Sequence, residues 1–245
     1  MILAACTLSL LTACAPALSR LKAAPAPQTA FLNVSVNARF EEDLSKYPFH
    51  RVWFANQSNQ VYDGKRIYVA PVDTSHVRYD VDWHLGRTAG RIASEQALAS
   101  IAEYTRETFQ TRFAEENYEV TTDEQRADSL ILELALVELG PTDVFRNVVG
   151  TAAGAFIPGG GLISAKSNGS IAIEGALRDG KSGEVLFMFT DRERGKMAPF
   201  NFNDYTRFSH ARAIVEEWAE QLVELCDKGP NGVVPDSLPI TLLPL

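Results

Sequence analysis

The stretch from 130 to 139, Leu-Ile-Leu-Glu-Leu-Ala-Leu-Val-Glu-Leu, constrains the fold of this chain more than any other feature of the sequence. It is apolar on both sides of an extended chain for most of its length, which is typical of a strand covered on both faces. We therefore predict a central β-strand here. Glu133 and Glu138 interrupt the run, and we expect each to be paired or at a strand edge rather than catalytic.

Two amphipathic helices are predicted, one before and one after this strand in the sequence. In the first, from Ile92 to Glu116, Leu98, Ile101 and Phe109 share an apolar face. The second ends at Lys228-Gly229-Pro230, because glycine and proline stop a helix. Its apolar residues recur at helical spacing: Phe208, Ala211, Val215, Trp218, Leu222 and Leu225.

Shorter apolar segments complete the expected secondary structure. Residues 65–72 and the segment that begins at Tyr118 are predicted strands. Two more strands, over 171–177 and 185–189, are joined through Asp179-Gly180, and Asp-Gly is a strong hairpin signal.

The order strand, helix, several strands, helix predicts a single α+β domain, with a mixed or antiparallel sheet of about four to five strands covered by two long helices. The trio Val52-Trp53-Phe54 is expected to pack against this domain. Hydrophobic residues make up 46% of the chain, enough for a core of that size. The net charge of −8 and the lack of a basic stripe argue against a nucleic-acid partner.

The N-terminus carries a motif that bears on location. Residues 2–13 are apolar or small, too short a run to span a bilayer, and they end at Leu11-Thr12-Ala13-Cys14. This pattern predicts a lipoprotein signal that is cut before Cys14, the residue that then carries lipid; an ordinary secretory signal is the alternative. No Lys or Arg precedes the run, so we expect the natural start upstream. Ala15, where inner-membrane lipoproteins often have aspartate, favours the outer membrane.

This interpretation divides the chain into a signal peptide over 1–13, a lipidated tether rich in Ala and Pro over 14–40, a periplasmic α+β domain over 41–228 and a Pro-containing tail over 229–245. Such a tether cannot bury enough apolar surface to repay its ordering, so we expect it to be extended. The apolar residues of the tail suggest that it lies back on the domain. Cys226 is the thiol that remains, and we expect it to be buried and unreactive.

A strict alternation runs from His76 to His84. Apolar side chains fall on one side, and two histidines, two aspartates and Arg78 fall on the other. The pattern predicts an amphipathic strand with one solvated face. Histidine and aspartate can ligate a metal, but an arginine among them disfavours a cation site, and we expect no metal here.

Residues 175–182 match the phosphate-binding pattern G-x-x-x-x-G-K-[ST]. That loop works because its backbone N–H groups wrap a phosphate and a helix begins directly afterwards. Here residues 183–189 read as a strand, so we expect neither a nucleotide nor another cofactor. The sequence contains no G-x-S-x-G or H-E-x-x-H motif, and the charge run Asp191–Arg194 is expected to be a solvated strand end. We therefore expect a protein that is not an enzyme.

A glycine-rich apolar segment over 148–163 is the candidate for contact with a partner or a membrane. Its first two glycines have the small-xxx-small spacing that permits close helix approach, while its proline and later glycines exclude a full transmembrane helix. Two interpretations stay open: a contact loop that inserts into lipid or joins subunits, and the more ordinary mobile loop tucked against the core. The candidate contact residues are Gly150, Gly154, Phe156, Ile157, Gly159, Gly160 and Gly161.

Five short motifs follow one another along the chain. They are Arg66–Val72, Ala135–Thr142, Ile173–Asp179 with Ser182–Leu186, Asp191–Glu193 and Glu217–Ala219. In this order they resemble the bacterial lipoproteins grouped as domain-of-unknown-function family 3313, over about residues 40–228. The resemblance implies an exported lipoprotein without an assigned activity, and it carries over no catalytic residues.

These observations together predict an outer-membrane lipoprotein that faces the periplasm. We expect a non-enzymatic module that binds another envelope component or assembles with itself. The rival hypothesis is a periplasmic domain that binds a ligand or a metal, or hydrolyses a substrate, through the polar face of His76–His84.

Overall fold

The computed structural model describes residues 23–32, 39–55, 65–78, 87–123, 128–140, 169–195 and 209–237. Within these ranges the chain forms six strands and two long helices. In chain order they are β1 (Arg51–Phe54), β2 (Arg66–Val69), α1 (Arg87–Glu115), β3 (Glu119–Thr121), β4 (Ser129–Leu139), β5 (Ser170–Asp179), β6 (Val185–Arg194) and α2 (Ser209–Lys228).

The strands lie in one sheet in the order β1-β6-β5-β4-β2-β3. The pairs β1–β6, β6–β5 and β5–β4 are antiparallel, whereas β2 pairs in parallel with both β4 and β3. The sheet is therefore mixed, as predicted, but it has six strands instead of four to five. The additional strand is β1, because Val52, Trp53 and Phe54 pair with β6 through their backbone where the sequence indicates only apolar packing.

The predicted central strand is confirmed, since β4 lies between β5 and β2. Its two faces meet different partners. Leu132, Leu134 and Leu136 belong to the main core, on the inner face that the helices cover. Ala135 and Val137 alternate with them and point to the outer face, where they form a separate cluster with Ala26. This double burial is the reason that the run is apolar on both sides.

Both helices pack against the inner face and against each other. α1 contacts β2 and β3, whereas α2 contacts β5 and β6. The predicted helix faces are confirmed: the buried residues include Leu98, Ile101 and Phe109 of α1. α2 buries Ala211, Val215, Trp218, Leu222, Leu225 and Cys226, while Phe208 lies outside the described residues.

Backbone geometry at Gly229 ends α2, as the sequence predicts. Gly229 has a φ of 68°, in the left-handed region that favours glycine, and its N–H donates to Leu225 O over 2.9 Å. The tail then returns to the domain. Val234 is 1% exposed, and its N–H donates to Lys46 O over 2.9 Å. Residues 238–245 lie outside the described part of the tail.

The residues of the phosphate-binding pattern form the β5–β6 hairpin and not the start of a helix. Asp179 organises the turn, because its Oδ1 accepts hydrogen bonds from the N–H of Ser182 (2.7 Å) and of Lys181 (3.1 Å). Gly175 serves packing, since a Cβ there would overlap the ring of Phe189. The pattern is thus a coincidence of hairpin sequence.

The predicted tether over 14–40 differs from the structure in its middle part. Residues 23–32, which we call the strap, lie against the outer face of the sheet, with Ala23, Ala26 and Leu32 no more than 6% exposed. The composition of the strap does not favour burial by itself. The small side chains of Ala135 and Ala172 allow the strap to lie close to the sheet. The strap is therefore ordered by its contacts with the domain and not by contacts within itself.

The alternating segment His76–His84 is described as far as Arg78. Over these residues it makes a turn and one isolated bridge between Arg78 and Glu138, and not a strand. His76 lies 3.6 Å from Asp73 and contacts Phe31 edge-on. Residues 79–84, which carry the rest of the predicted polar face, lie outside the described residues.

Candidate functional site

The residues singled out from the sequence lie outside the described part of the chain. These are Cys14 and the seven contact candidates Gly150, Gly154, Phe156, Ile157, Gly159, Gly160 and Gly161. The residues that flank the glycine-rich segment are described, however, and they show from which end of the sheet it departs.

The glycine-rich segment is an excursion between two adjacent strands. Gly140, after β4, and Ser170, at the start of β5, exchange two backbone hydrogen bonds of 2.7 and 3.2 Å. Residues 141–168 therefore leave and return at one point. We call this the loop end of the sheet; the β5–β6 hairpin lies at the opposite end of the same strands.

At the loop end, the backbone of Gly169 passes directly against the side chain of His210. A Cβ on Gly169 would overlap the imidazole of His210 and lie 2.6 Å from Gly140 O, so the backbone can pass there only as glycine. Burial lowers the pKa of His210 to about 4, against the opposing hydrogen bonds with the backbone of Gly140 and Ser170. His210 is consequently neutral near pH 7, and its ring packs between α2 and the backbone of Gly140, Gly169 and Ser170.

Ion pairs line the outer face of the sheet, one at the loop end and one nearer the β5–β6 turn. Glu138 Oε1 accepts hydrogen bonds from Ser170 Oγ (2.6 Å) and from Arg192 Nη2 (2.7 Å). Glu133 likewise accepts from Arg178 Nε over 2.6 Å. The prediction that both glutamates are paired is confirmed.

The start of the strap lies at the same loop end. Arg192, which binds Glu138, also places Nη1 3.4 Å from Ala24 O, and His50 Nε2 lies 3.0 Å from Ala23 O. Cys14 precedes Ala23 by nine positions. A fully extended chain of that length spans at most about 30 Å. If Cys14 carries lipid as predicted, the attachment point is therefore at most about 30 Å from Ala23, at the loop end.

A buried polar network of His50, Asp191 and Trp218 lies on the inner side of the sheet at the loop end. Asp191 is 2% exposed; its Oδ1 accepts from the backbone N–H of His50 (3.0 Å) and contacts His50 Nδ1, while its Oδ2 accepts from Trp218 Nε1 (2.6 Å). Both ring nitrogens of His50 face acceptor oxygens, Asp191 Oδ1 and Ala23 O, which favours the doubly protonated ring. Burial lowers the pKa of His50, but the hydrogen bond and charge of Asp191 outweigh it, so the pKa is raised.

The expectation of a solvated strand end over Asp191–Arg194 is therefore wrong for Asp191. Its position was readable from alternation, because Phe187, Phe189 and Asp191 occupy successive inward positions of β6. The arrangement is structural in character: it joins β1, β6, α2 and the strap through one carboxylate. Among the described residues, His, Cys, Asp and Glu side chains nowhere form a group of three or more that could hold a metal ion.

Comparison with known proteins identifies the family of this chain. No curated protein matches the chain. Within the described helices, none is both long and apolar enough to cross a bilayer. The family described as "Protein of unknown function (DUF3313)" matches residues 34–222.

Three solved structures match the chain at low sequence identity. PelC from Paraburkholderia phytofirmans, a dodecamer, is 10% identical, with 69% of this chain and 96% of that one covered and a TM-score of 0.36. Lipoprotein GNA1162 from Neisseria meningitidis is 12% identical, with 65% and 99% covered and a TM-score of 0.28. Protein XCC0632 from Xanthomonas campestris, of family DUF330, is 12% identical, with 69% and 86% covered and a TM-score of 0.28.

The family match spans most of the chain and includes the sheet, α1 and residues 209–222 of α2. The motifs that resemble this family in the sequence lie on β2, β4, the β5–β6 hairpin and α2, so they are elements of one core. The chain belongs to the family described as "Protein of unknown function (DUF3313)".

Proposed function

We propose that this chain is a lipoprotein, anchored in the outer membrane through Cys14 and facing the periplasm. It acts without catalysis, as a module that binds another envelope component or assembles with itself. The contact surface is the glycine-rich excursion at the loop end, with Gly150, Gly154, Phe156, Ile157, Gly159, Gly160 and Gly161 as its residues.

One observation carries this proposal: the N-terminal end of the strap and the two residues that flank the excursion, Gly140 and Ser170, lie at the same end of the sheet. Ala24 O, Arg192, Glu138 and Ser170 are linked by successive hydrogen bonds, so the N-terminal side of the strap lies next to the base of the excursion. A lipid attached at Cys14 then holds the loop end towards the leaflet. The apolar excursion is presented to the membrane surface or to a neighbour anchored in it.

The opposite end of the sheet has a different character. The turn of the β5–β6 hairpin is built from polar residues and glycine, and Lys181, Ser182 and Glu184 are exposed. In the proposed orientation this charged hairpin points into the periplasm. The two ends thus suit two environments, which supports the assignment of the contact surface to the loop end.

The anchor is tested first, by the intact mass of the protein extracted from membranes of its native host. We expect a chain that begins at Cys14 and carries diacylglycerol, and a Cys14→Ser variant that stays unprocessed. A freely soluble protein that keeps its first thirteen residues would contradict the anchor.

The contact surface is tested by crosslinking in intact envelopes, followed by pull-down and by mass measurement of the detergent-solubilised protein. Phe156→Glu with Ile157→Glu should remove the crosslinked partner or the self-assembly, because charge opposes burial of the excursion. Lys181→Glu, on the hairpin, is the matched control and should leave the crosslinks intact. A wild-type protein that is strictly monomeric and without partner would refute this part of the proposal.

A further inference from the structure

The outer face of the sheet holds the strap by its backbone carbonyls. Four carbonyl groups within residues 23–27 of the strap each face a side-chain donor, and the donors come from three separate parts of the domain. The contacts are His50 Nε2 to Ala23 O (3.0 Å), Arg192 Nη1 to Ala24 O (3.4 Å), Arg51 Nη1 to Ala26 O (3.4 Å) and Arg78 Nη2 to Pro27 O (2.7 Å).

The far half of the strap is held by a buried carboxylate. Glu174, on β5, is 1% exposed. Its Oε1 accepts from the N–H of Thr29 over 2.7 Å, and its Oε2 accepts from Thr29 Oγ1 over 2.6 Å. Burying a carboxylate without such donors would cost free energy. The hydrogen bonds from Thr29 therefore stabilise the buried Glu174 as well as the bound strap.

The surface beneath the strap consists mainly of small side chains, and two prolines restrict the backbone of the strap. Ala26 packs on Ala135 and Ala172, and Leu32 packs on Ala176 and Met188. Pro25 and Pro27 restrict the backbone to extended geometry and carry no N–H that would need an acceptor. The domain thus offers donors for the carbonyl groups of the strap, small side chains for it to pack on, and a carboxylate that accepts two hydrogen bonds from Thr29. These features suit an extended segment that contains proline.

We propose that the outer face of the sheet is a recognition site for an extended, proline-containing segment, and that residues 23–29 of this same chain are its ligand. Whether the strap is bound at this site determines how much of the N-terminal region is free of the domain. With the strap bound, nine positions separate Cys14 from the domain, or about 30 Å at most; with the strap released, the free chain runs to Arg39 and reaches about 85 Å. Only this consequence for distance rests on the proposed lipid anchor.

Hydrogen exchange of the full-length protein in detergent tests the site where it is strongest. Glu174→Gln should accelerate exchange at the Thr29 amide by about tenfold or more, because it replaces a charged acceptor by a weaker neutral one. Glu133→Gln is the matched control: it removes a carboxylate on the same face whose ion pair with Arg178 does not involve the strap. Equal exchange at Thr29 in the wild type and both variants would overturn the proposal.

A second measurement separates recognition from simple attachment. A fluorescent peptide with the sequence of residues 23–32 is added to the full-length Thr29→Val protein, in which the resident strap is weakened. Saturable binding of this peptide, absent for a peptide that itself carries Thr29→Val, supports the proposal. Absence of saturable binding, or equal binding of both peptides, refutes it. Neither readout depends on lipid, so the same results are expected with Cys14→Ser even if the proposed anchor fails.

Discussion

His50 and Asp191, which are 141 positions apart in the sequence, form a buried ion pair at the loop end of the sheet. The carboxylate also accepts the indole N–H of Trp218, and the imidazole reaches Ala23 O on the strap. One aspartate therefore connects the last helix, the edge of the sheet and the N-terminal segment. The stability of the domain should depend on it.

Asp191→Asn should destabilise the domain by about 3 kcal/mol, because it leaves the buried donors of His50 and Trp218 facing an amide without charge. The free energy of unfolding from urea titration measures this. Asp128→Asn is the control, since Asp128 is 66% exposed in its pair with Arg66 and the change should cost less than about 1 kcal/mol. Equal losses in the two variants would contradict the role given to Asp191.

The His50–Asp191 pair should weaken as the solution becomes alkaline. Because folding raises the pKa of His50, its contribution is complete below the unfolded pKa of about 6.5 and is lost as the pH rises through the higher folded value. Unfolding free energies between about pH 6 and pH 9 should therefore fall more steeply in the wild type than in His50→Gln. Parallel pH profiles for the two proteins would rule the effect out.

His210 should have the opposite dependence. Its pKa falls from about 6.5 in the unfolded chain to about 4 in the folded one, so acid protonates the unfolded chain first. Between pH 6.5 and pH 4 the wild type should lose about 3 kcal/mol that His210→Gln does not lose. Acid unfolding monitored by circular dichroism compares the two slopes, and the prediction fails if the variant is as acid-sensitive as the wild type.

Gly175→Ala should destabilise the hairpin by about 1–3 kcal/mol, because the added methyl group overlaps the Phe189 ring. The double variant Gly175→Ala/Phe189→Leu should recover part of this loss, since leucine leaves room beside the new Cβ. Thermal unfolding of the four proteins in a double-mutant cycle gives the coupling. Additive effects would show that the glycine is required for a reason other than this contact.

Periodicity in the sequence was enough to identify most of the sheet and both helices. The run over 130–139 is a central strand, the repeats over 92–115 and 211–225 lie on helices, and Asp179-Gly180 starts a hairpin turn. Each of these is a local pattern that is long enough to be recognised without knowledge of its partners. The sequence also predicted that Glu133 and Glu138 are paired, because a carboxylate within a largely buried strand needs a partner.

Three features could not be derived from local pattern. Val52-Trp53-Phe54 became β1 only because β6 offers an unpaired edge beside them. Residues 23–32 have the composition of a free tether, yet alanines on the outer face of the sheet let them pack there. Asp191 sits in a run of charges, and its burial depends on His50 and Trp218, which are distant in sequence.

By itself, the sequence determined the type, length and buried face of the main elements, and it determined the family, because apolar periodicity and short motifs are properties of neighbouring residues. Only the tertiary structure decided which strands pair, that the strap covers the outer face, and that strap and excursion share one end of the sheet. Those outcomes depend on hydrogen bonds and packing between residues that are distant in the sequence, such as Thr29 and Glu174, which are 145 positions apart, and no local pattern encodes them.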